Sequence, residues 1–533
     1  MSSLARATAV MSLGTVVSRA TGLLRIAAIA AALGVVESDR LTDAYNYANT
    51  APNIIYELVL GGILTSVFVP VFVELIEKEG RERAWEVASA IINLSMVILV
   101  GIAAIGIIAA PWIARIYSTR LEGAEAAQQL EVITFLLRLF IPQIIFYALT
   151  ALTAGLLNAH KRFGAPMYTP VLNNLAVIAV FVAFHQAVGA VTEDSITTAQ
   201  LLVIGLGTTA GVAIMAIAQL PFLKGLGRYR LTFSISHPSV RKLARLSVFV
   251  IGYVVANQIG YIVVQILASE DRGAYTAYIW AFTFFMLPHG LFAVSLITAL
   301  LPGMSEHAVN ARWDEFRDHV STGVRATFML VLPAAVGYFV LGEPLVRFLL
   351  KRGVMTEASV DLVAGVLQFF VIGLVPFSIF QLFLRAFYAL QDTKTPFLIN
   401  CGAVALNTAV NIPMFAILGV RGLAVGHALA YIFGVGIQGA ALRARIGGID
   451  GRRIFQSAAR IGAAAAGMGV VVWAASGATE RLVAPEAFFQ QTIGVVIPVG
   501  VGVVAYLLLA RALKVEELDL ARGLMRRRLA GKG

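Results

Sequence analysis

The chain is poor in cysteine and in charged residues. Its 533 residues include one cysteine, Cys401, which excludes a disulfide framework and a cysteine-based metal site. Only 13% of the residues are charged, whereas soluble domains carry about 25%. The sequence also lacks a Walker loop, an H-E-x-x-H motif and a nucleophile elbow. We therefore expect no enzyme, no catalytic residue and no organic cofactor.

The sequence is instead rich in long apolar runs. Hydrophobic residues make up 59% of the sequence, the mean hydropathy is +0.83, and spanning-length runs recur along the chain. This pattern predicts an all-α polytopic membrane protein with fourteen transmembrane helices. The net charge of +11 lies mostly in alternate short loops, so the positive-inside rule accounts for it without nucleic acid. The same rule places both termini in the cytoplasm.

Two short motifs recur at nearly the same distance. Gly62–Pro70 resembles Val294–Pro302 at an offset of 232, and Asn158–Pro166 precedes a similar Tyr388–Pro396 by 230 residues. Duplication is common in secondary transporters, whose substrate sites lie between the repeats. We therefore predict two pseudo-symmetric six-helix lobes, residues 1–225 and 226–445. Two additional helices follow within 446–512, and a basic cytoplasmic tail occupies 513–533.

Arg19 and Arg25 lie within the first apolar run. An arginine near mid-membrane costs at least about 2.5–3.5 kcal/mol on insertion scales, so it normally faces a partner, a cavity or water. Six residues separate the two, which places them about 120° apart around a helix. A planar guanidinium suits phosphate because it donates two hydrogen bonds and stays charged. We interpret both as ligands for an anionic head group, although snorkelling to an interface remains an alternative.

Two acids follow on the second predicted helix. Asp43 is open to two interpretations, a solvated helix start capped within Thr42-Asp43 or a cavity role. Glu57 follows Pro52-Asn53 and precedes Gly61-Gly62. A carboxylate in this apolar setting needs a partner, and we predict pairing with an arginine of the first helix.

The second half offers further polar candidates. Asn407 and Asn411 share one helix face, which indicates interhelical hydrogen bonding or coordination of a monovalent cation such as sodium. His427, on an apolar helix, is a third cation-site candidate, although such a histidine is more often a packed interior group. Arg385 precedes Gln391-Asp392-Thr393-Lys394 and has a loop-closing or a gating role.

These motifs together resemble the MurJ/MviN family of lipid II flippases, within the multidrug/oligosaccharidyl-lipid/polysaccharide exporter superfamily. The resemblance covers almost the whole chain and rests on the following segments: Ser18-Arg19-x-x-Gly22-x-x-Arg25, Thr42-Asp43-Ala44, Pro52-Asn53, Phe68-Val69-Pro70, Leu157-Asn158-x-x-x-Arg162-Phe163 and Phe387-Tyr388-x-x-Gln391-Asp392-x-Lys394-Thr395-Pro396.

The resemblance implies a bacterial plasma-membrane flippase that moves lipid II, an undecaprenyl-diphosphate-linked muropeptide, by alternating access. The last two helices would form a groove for the lipid tail. Arg19, Arg25 and Asp43 would grip the head group, and the matching motifs add Ser18 and Asn53 to the candidates. Asn407 and Asn411 resemble part of a sodium site. Membrane lipids and wall-synthesis proteins are the implied partners.

The sequence also departs from the family pattern. Family arginines are replaced by Tyr56 and Thr283, and Ile26 stands where an acid often follows the second arginine. Two alternatives therefore stay open. The first is a drug/cation antiporter or another polyprenyl-diphosphate-oligosaccharide flippase of the same superfamily. The second is a scaffold for wall-synthesis proteins that would not need Arg19 or Arg25.

Overall fold

The chain folds into helices joined by short turns. The computed structural model describes residues 3–57, 69–233, 238–482 and 488–518. Its α-helices are α1 (Ser3–Leu33), α2 (Leu41–Tyr56), α3 (Val69–Glu79), α4 (Arg81–Tyr117), α5 (Gly123–Phe140), α6 (Gln143–Ala159), α7 (Gly164–Val188), α8 (Thr198–Ile217), α9 (Pro238–Ala268), α10 (Ala274–Pro288), α11 (Val294–Val309), α12 (Trp313–Leu350), α13 (Glu357–Phe370), α14 (Leu374–Ala389), α15 (Lys394–Leu418), α16 (Val420–Ile446), α17 (Gly451–Leu482) and α18 (Phe488–Ala512).

Prolines interrupt several of these helices. Pro142 separates α5 from α6, Pro288 precedes a π-helical turn at His289–Ala293, and a 3₁₀ turn at Val371–Gly373 precedes Pro376. Proline has no backbone N–H and clashes with the preceding turn, so the helical hydrogen-bond ladder breaks there. In each case the next helix continues as part of the same apolar segment.

Twelve helical segments of the described residues are long and apolar enough to cross a membrane. The all-helical membrane class predicted from the sequence is therefore confirmed. The predicted second span contains residues 58–68, which lie outside the described residues, and only Gly252–Ala268 of α9 is counted as a shorter apolar helix. The number fourteen stays a prediction.

The helix boundaries repeat along the chain. α1 and α9 each have 31 residues. α2 and α10 begin at Leu41 and Ala274, 233 residues apart, whereas α7 and α15 begin at Gly164 and Lys394, 230 residues apart. These offsets match those of the sequence motifs, which supports duplication of the segment that runs from α1 to α8. The first copy of the Gly62 motif lies mostly outside the described residues.

The chain divides into two compact units. The first comprises Met1–Thr276 with Leu349–Ser359. In its interior the ring of Tyr45 packs edge-on against Phe140 and Phe181, with centroids 5.5 and 5.3 Å away. Tyr47 stacks on Tyr275 at 4.1 Å. These contacts fix α2 against α5, α7 and the start of α10.

The second unit comprises Ala277–Phe348 with Val360–Gly533. Here α17 and α18 pack against each other and against α12 through an apolar cluster that includes Leu341, Ile461 and Tyr506. The Tyr506 hydroxyl donates to the Met329 carbonyl at 2.8 Å. Arg325, only 1% exposed, pairs with Glu517 just beyond α18. The last two helices are thus anchored to α12.

Candidate functional site

Arg25 is a half-buried cation without a counter-ion in the part of the chain that the structure describes. Its Nε atom is shielded from solvent and has no hydrogen-bond acceptor among those residues. The guanidinium interacts electrostatically with the hydroxyls of Tyr45 and Tyr147, from α2 and α6. Neutral hydroxyls do not neutralise a guanidinium. An anionic ligand would supply the missing charge.

The hydroxyls around Arg25 are held by other polar groups of the first unit. Tyr147 interacts with the Asn53 side chain and donates to Gln143 Oε1 at 3.4 Å. The Tyr45 hydroxyl lies 2.9 Å from Thr208 Oγ1. Asn53, a sequence candidate, therefore belongs to the same cluster of polar side chains as Arg25, Tyr45 and Tyr147, which we call the polar pocket. The pocket offers hydrogen-bond donors around one unneutralised positive charge.

Arg19 and Ser18 lie earlier on α1. Arg19 is half-buried, and no ion pair involves it among the described residues. The Ser18 carbonyl accepts from Asn174 Nδ2 at 3.2 Å, and the same Nδ2 donates to Thr21 Oγ1 at 3.0 Å. These bonds attach α1 to α7, so the backbone of Ser18 serves helix packing.

The predicted pairing of Glu57 with an arginine of α1 is not found among the described residues and stays a prediction. The Glu57 side chain is exposed, and no ion pair joins it to Arg19 or Arg25 within the described ranges.

Asp43 caps the start of another helix. Its Oδ2 accepts from the Gly273 N–H at 2.8 Å, and its Oδ1 accepts from the Thr276 N–H at 2.9 Å and from the Thr276 hydroxyl at 2.6 Å. The residue is 1% exposed, so the solvated-helix-start interpretation is wrong. Both carboxylate oxygens therefore accept hydrogen bonds from the start of α10, where a negative charge is favoured by the helix dipole.

Arg40 caps the other side of the same turn. Its Nη1 donates to the Ser269 carbonyl at 2.9 Å and its Nη2 to the Glu270 carbonyl at 3.0 Å, at the carboxyl end of α9. A cation is favoured at this end of a helix. We call Arg40, Asp43 and residues 269–276 the turn latch. Opposite charges three residues apart thus hold both ends of one inter-helix turn.

Acidic groups surround the latch. Glu193 lies 8% exposed in the loop between α7 and α8, and its backbone N–H donates to the Ser38 carbonyl at 3.3 Å. Burial raises the pKa of its carboxyl group to about 7, with Arg40 opposing and Asp43 and Asp194 adding to the shift. Burial also raises the pKa of Glu37, but hydrogen bonds from Thr356 and Ser359 outweigh it and hold that pKa below its usual value.

The second unit brings two of the cation candidates together. Asn411 Nδ2 donates to Asn407 Oδ1 at 3.0 Å, and the pair faces Gly426 of α16. Asn411 is fully buried, and its Oδ1 accepts no hydrogen bond in the described part of the chain. A buried, unused carbonyl oxygen suits a monovalent cation, so these two residues fit the predicted site in that respect.

His427 and Arg385 do not join that pair. The His427 ring is enclosed by aromatic side chains, with centroids 5.6 Å from Phe282 and 5.3 Å from Phe370. This is the packed interior role, but the Nε2 atom of His427 is buried without a hydrogen-bond partner among the described residues, so its cation-ligand interpretation stays a prediction. Arg385 is exposed, and its guanidinium lies 5.8 Å from the Tyr388 ring centroid.

The folded chain belongs to a recognisable class. Repeated helix boundaries, proline-interrupted spans and an unneutralised arginine in a polar pocket define a polytopic membrane protein built like a secondary transporter. Comparison with known proteins narrows this class. Residues 29–494 match the family model described as lipid II flippase MurJ.

Curated relatives and solved structures agree with that match. The lipid II flippase MurJ of Burkholderia cenocepacia is 30% identical over 420 residues, covering 77% of this chain and 78% of the relative. A probable lipid II flippase MurJ of Rhizobium tropici is 28% identical, covering 78% and 76%. The chain therefore belongs to the lipid II flippase MurJ family.

The structural comparison extends the fold to a wider group. An inward-closed MurJ structure superimposes with a TM-score of 0.74 at 22% identity, covering 94% of this chain and 99% of that one. An inward-facing multidrug-resistance MATE transporter superimposes with a TM-score of 0.65 at 12% identity, covering 81% and 94%. At these identities the likeness concerns the fold.

Sequence reasoning missed Arg40, Tyr45 and Tyr147. Arg40 is a single cation in a loop that is otherwise acidic, and this contrast was the available signal. The two tyrosines lie in apolar runs, where a ring is expected in any helix interior, and only tertiary structure shows their hydroxyls beside Arg25.

Proposed function

We propose that this chain flips lipid II from the cytoplasmic to the outer leaflet of a bacterial plasma membrane by alternating access. Membership of the MurJ family and the names of its curated relatives support this substrate. The chain would bind and move the lipid without hydrolysing it. A drug/cation antiporter is disfavoured because an unneutralised Arg25 repels organic cations.

Arg25 is the observation that carries the proposal. Lipid II presents a diphosphate, and a guanidinium with free donors recognises phosphate oxygens through paired, charge-assisted hydrogen bonds. Tyr45 and Tyr147 interact electrostatically with the guanidinium and leave its positive charge unneutralised. Arg25 is only half-buried, so part of the residue stays accessible.

The test replaces Arg25 and leaves the other arginines intact. Arg25→Ala should abolish growth of a strain depleted of its own flippase and lower lipid II retention in native mass spectrometry at least about tenfold, since a hydrogen bond to a charged group contributes about 1.5–3 kcal/mol. Arg25→Lys should be impaired because a point charge does not replace a fork. Arg115→Ala, an exposed arginine in the last turn of α4, is the matched control.

Normal growth and lipid retention of Arg25→Ala, with membrane levels equal to those of wild type, would overturn the substrate-binding role. Loss of protein from the membrane would show a folding defect instead, and Arg25→Lys then separates the two effects.

We further propose that Asn407 and Asn411 couple transport to a monovalent cation, with sodium as the first candidate. The unused Asn411 Oδ1 is the supporting feature. Asn411→Ala should remove any sodium dependence of transport while lipid II still binds. Unchanged sodium dependence would assign the pair to helix packing alone.

The orientation belongs to the same proposal, with both termini in the cytoplasm and α17 and α18 guiding the lipid tail. Because Cys401 is the only cysteine, a Cys401→Ser background allows single cysteines to be placed in any loop. A cysteine at Lys224 should react with a membrane-impermeant maleimide only after lysis, and one at Glu122 should react in intact cells. Association with wall-synthesis proteins remains a prediction from family resemblance.

A further inference from the structure

The segment that connects α8 and α9 is hydrogen-bonded to one side of α4. Asn93 Nδ2 donates to the carbonyls of Arg230 at 3.1 Å and of Thr232 at 2.9 Å, and the Arg230 N–H donates to Ser89 Oγ at 3.2 Å. We call residues 226–232, which lie between α8 and α9, the strap. Residues 82, 85, 89 and 93 follow helical spacing, so a single face of α4 carries the strap.

A cleft of about 100 Å³ opens where the strap meets the start of α4. It is lined by Arg81, Glu82, Trp85, Gly227, Arg228 and Arg230. Arg230 pairs with Glu82 at 3.2 Å. Arg81 and Arg228 are exposed and have no carboxylate partner among the residues that the structure describes. The cleft therefore carries two unneutralised guanidiniums, one on α4 and one on the strap.

The start of α4 adds to this positive field. α4 is 37 residues long, and its N-cap, Gly80, offers no side-chain cap. The first N–H groups of a helix lack intrahelical partners, and the helix dipole attracts anions there. The first turn holds Glu82 beside Arg81, but Glu82 is paired with Arg230 and Arg81 has no such partner among the described residues.

A buried donor lies in the wall of the same cleft. Trp85 is 4% exposed, and its Nε1 has no acceptor in the described part of the chain. The Nε1 edge of the indole faces Gly227, where a Cβ atom would lie 2.2 Å from Nε1. Only glycine permits so close an approach of the strap. The indole is thus a direct neighbour of both the strap and the cleft.

We propose that this cleft binds a phosphate-bearing anion that bridges Arg81 on α4 and Arg228 on the strap. The ligand is the phosphate of an anionic lipid head group or free phosphate, because both offer the oxygens that two guanidiniums and a helix N-terminus recognise. Basic pockets at a membrane surface bind lipid head groups in this way. The bound anion would hold the strap on α4, since Arg228 lies on the strap and Arg81 lies on α4.

The experiment compares matched charge changes in the purified full chain. Arg81→Gln/Arg228→Gln should lose phosphatidylglycerol adducts at least about fivefold in native mass spectrometry. Arg527→Gln/Arg528→Gln, which removes the same charge from the tail, should retain them. Phosphatidylcholine serves as the zwitterionic comparison. Inorganic phosphate and pyrophosphate are titrated separately, with the difference in fluorescence between wild type and Trp85→Phe as the readout.

Each arm has a defined consequence. Loss of phosphatidylglycerol adducts in the cleft variant alone assigns a lipid head group, whereas saturable phosphate binding without lipid adducts assigns the free anion. Equal adducts in both double variants, together with no phosphate response at Trp85, would overturn the site. If the glutamine variant does not fold, Arg81→Lys/Arg228→Lys keeps the charge and should weaken binding. None of these readouts depends on lipid II transport.

Discussion

Arg25 and Arg40 are two partly or fully buried arginines of the same unit, and they differ in what surrounds them. Arg40 is 5% exposed, both of its Nη atoms donate to the carbonyls of one turn, and Glu125 lies 3.7 Å away as a counter-ion, although its Nε, like that of Arg25, has no acceptor among the described residues. Arg25 is half-buried beside hydroxyls, without a carboxylate among the described residues. Burial of a charge therefore does not by itself indicate a binding site. The informative property is whether its hydrogen bonds and its charge are already satisfied.

This contrast has an energetic basis. A buried charge is tolerated when partners replace the lost water, and removing one partner leaves the other uncompensated. The turn latch meets this condition, so its residues should govern stability. The Arg25 pocket does not meet it, so Arg25 should govern binding. The following predictions test this division.

Asp43→Ala should have the largest effect on stability. The change leaves the N–H groups of Gly273 and Thr276 and one hydroxyl without acceptors, and unsatisfied buried groups cost about 1–3 kcal/mol each. We expect a clear drop in the thermal unfolding midpoint in detergent and faster amide exchange at residues 273–276. Arg25→Ala should leave both quantities near those of wild type.

Asp43→Asn provides the control, because an amide keeps one acceptor oxygen and loses the charge, and it should fall between wild type and Asp43→Ala. Equal midpoints for Asp43→Ala and Arg25→Ala would remove the distinction between the latch and the pocket.

Arg40→Met should have the next largest effect. It retains much of the aliphatic volume but leaves the carbonyls of Ser269 and Glu270 without their donors. We expect a loss of about 1–3 kcal/mol, seen as a lower unfolding midpoint and faster exchange in the last turn of α9. Arg25→Met should change the midpoint by much less, and a reversed order would contradict the comparison.

Glu193 should give the latch a pH dependence. Burial raises the pKa of its carboxyl group from 4.5 to about 7, Arg40 opposes this shift, and Asp43, Asp194 and Asp39 favour it. A raised carboxyl pKa means that stability is full below about 4.5 and declines as the pH rises through about 7, by about 3 kcal/mol at most. Thermal unfolding between pH 5 and 8 measures this decline.

Glu193→Gln should flatten the profile and raise the midpoint at pH 8. Glu122→Gln, an exposed acid in a loop of the same predicted outer face, should leave the slope unchanged. An unaltered slope in Glu193→Gln would assign the dependence to another group.

The sequence predicted the fold class better than it predicted the state of individual side chains. Apolar runs anticipated the helical spans, because these depend on local pattern, and the repeat read from the 230–232 offsets stays a prediction that the helix boundaries support. Two acids show the limit of sequence reasoning, since Asp43 was left open between a solvated helix start and a cavity role, and Glu57 was given a partner on α1. The first is buried on a turn 230 residues away, and the second is exposed. Only tertiary contacts decide such cases.

The same limit applies to the candidate site. The sequence pointed to Arg25 because a charge within an apolar run is costly in a membrane, and such a charge is visible in the sequence itself. Its neighbours Tyr45 and Tyr147 come from α2 and α6. The spacing of residues along one helix does not predict which side chains of other helices lie beside α1. Arg40 carries the same charge as Arg25, yet it caps a turn because α9 ends where its guanidinium lies.

Tyr147→Phe should have the smallest effect and refines the account of Arg25. The change removes one hydroxyl that interacts with Arg25 and Asn53, and it keeps the ring. If the hydroxyl only orients the guanidinium, lipid II retention should fall by about two- to fivefold, in line with one modest hydrogen bond. In an Arg25→Ala background the same change should have no further effect, because residues that act as a unit are not additive. An equal loss in both backgrounds would show that Tyr147 contacts the lipid independently of Arg25.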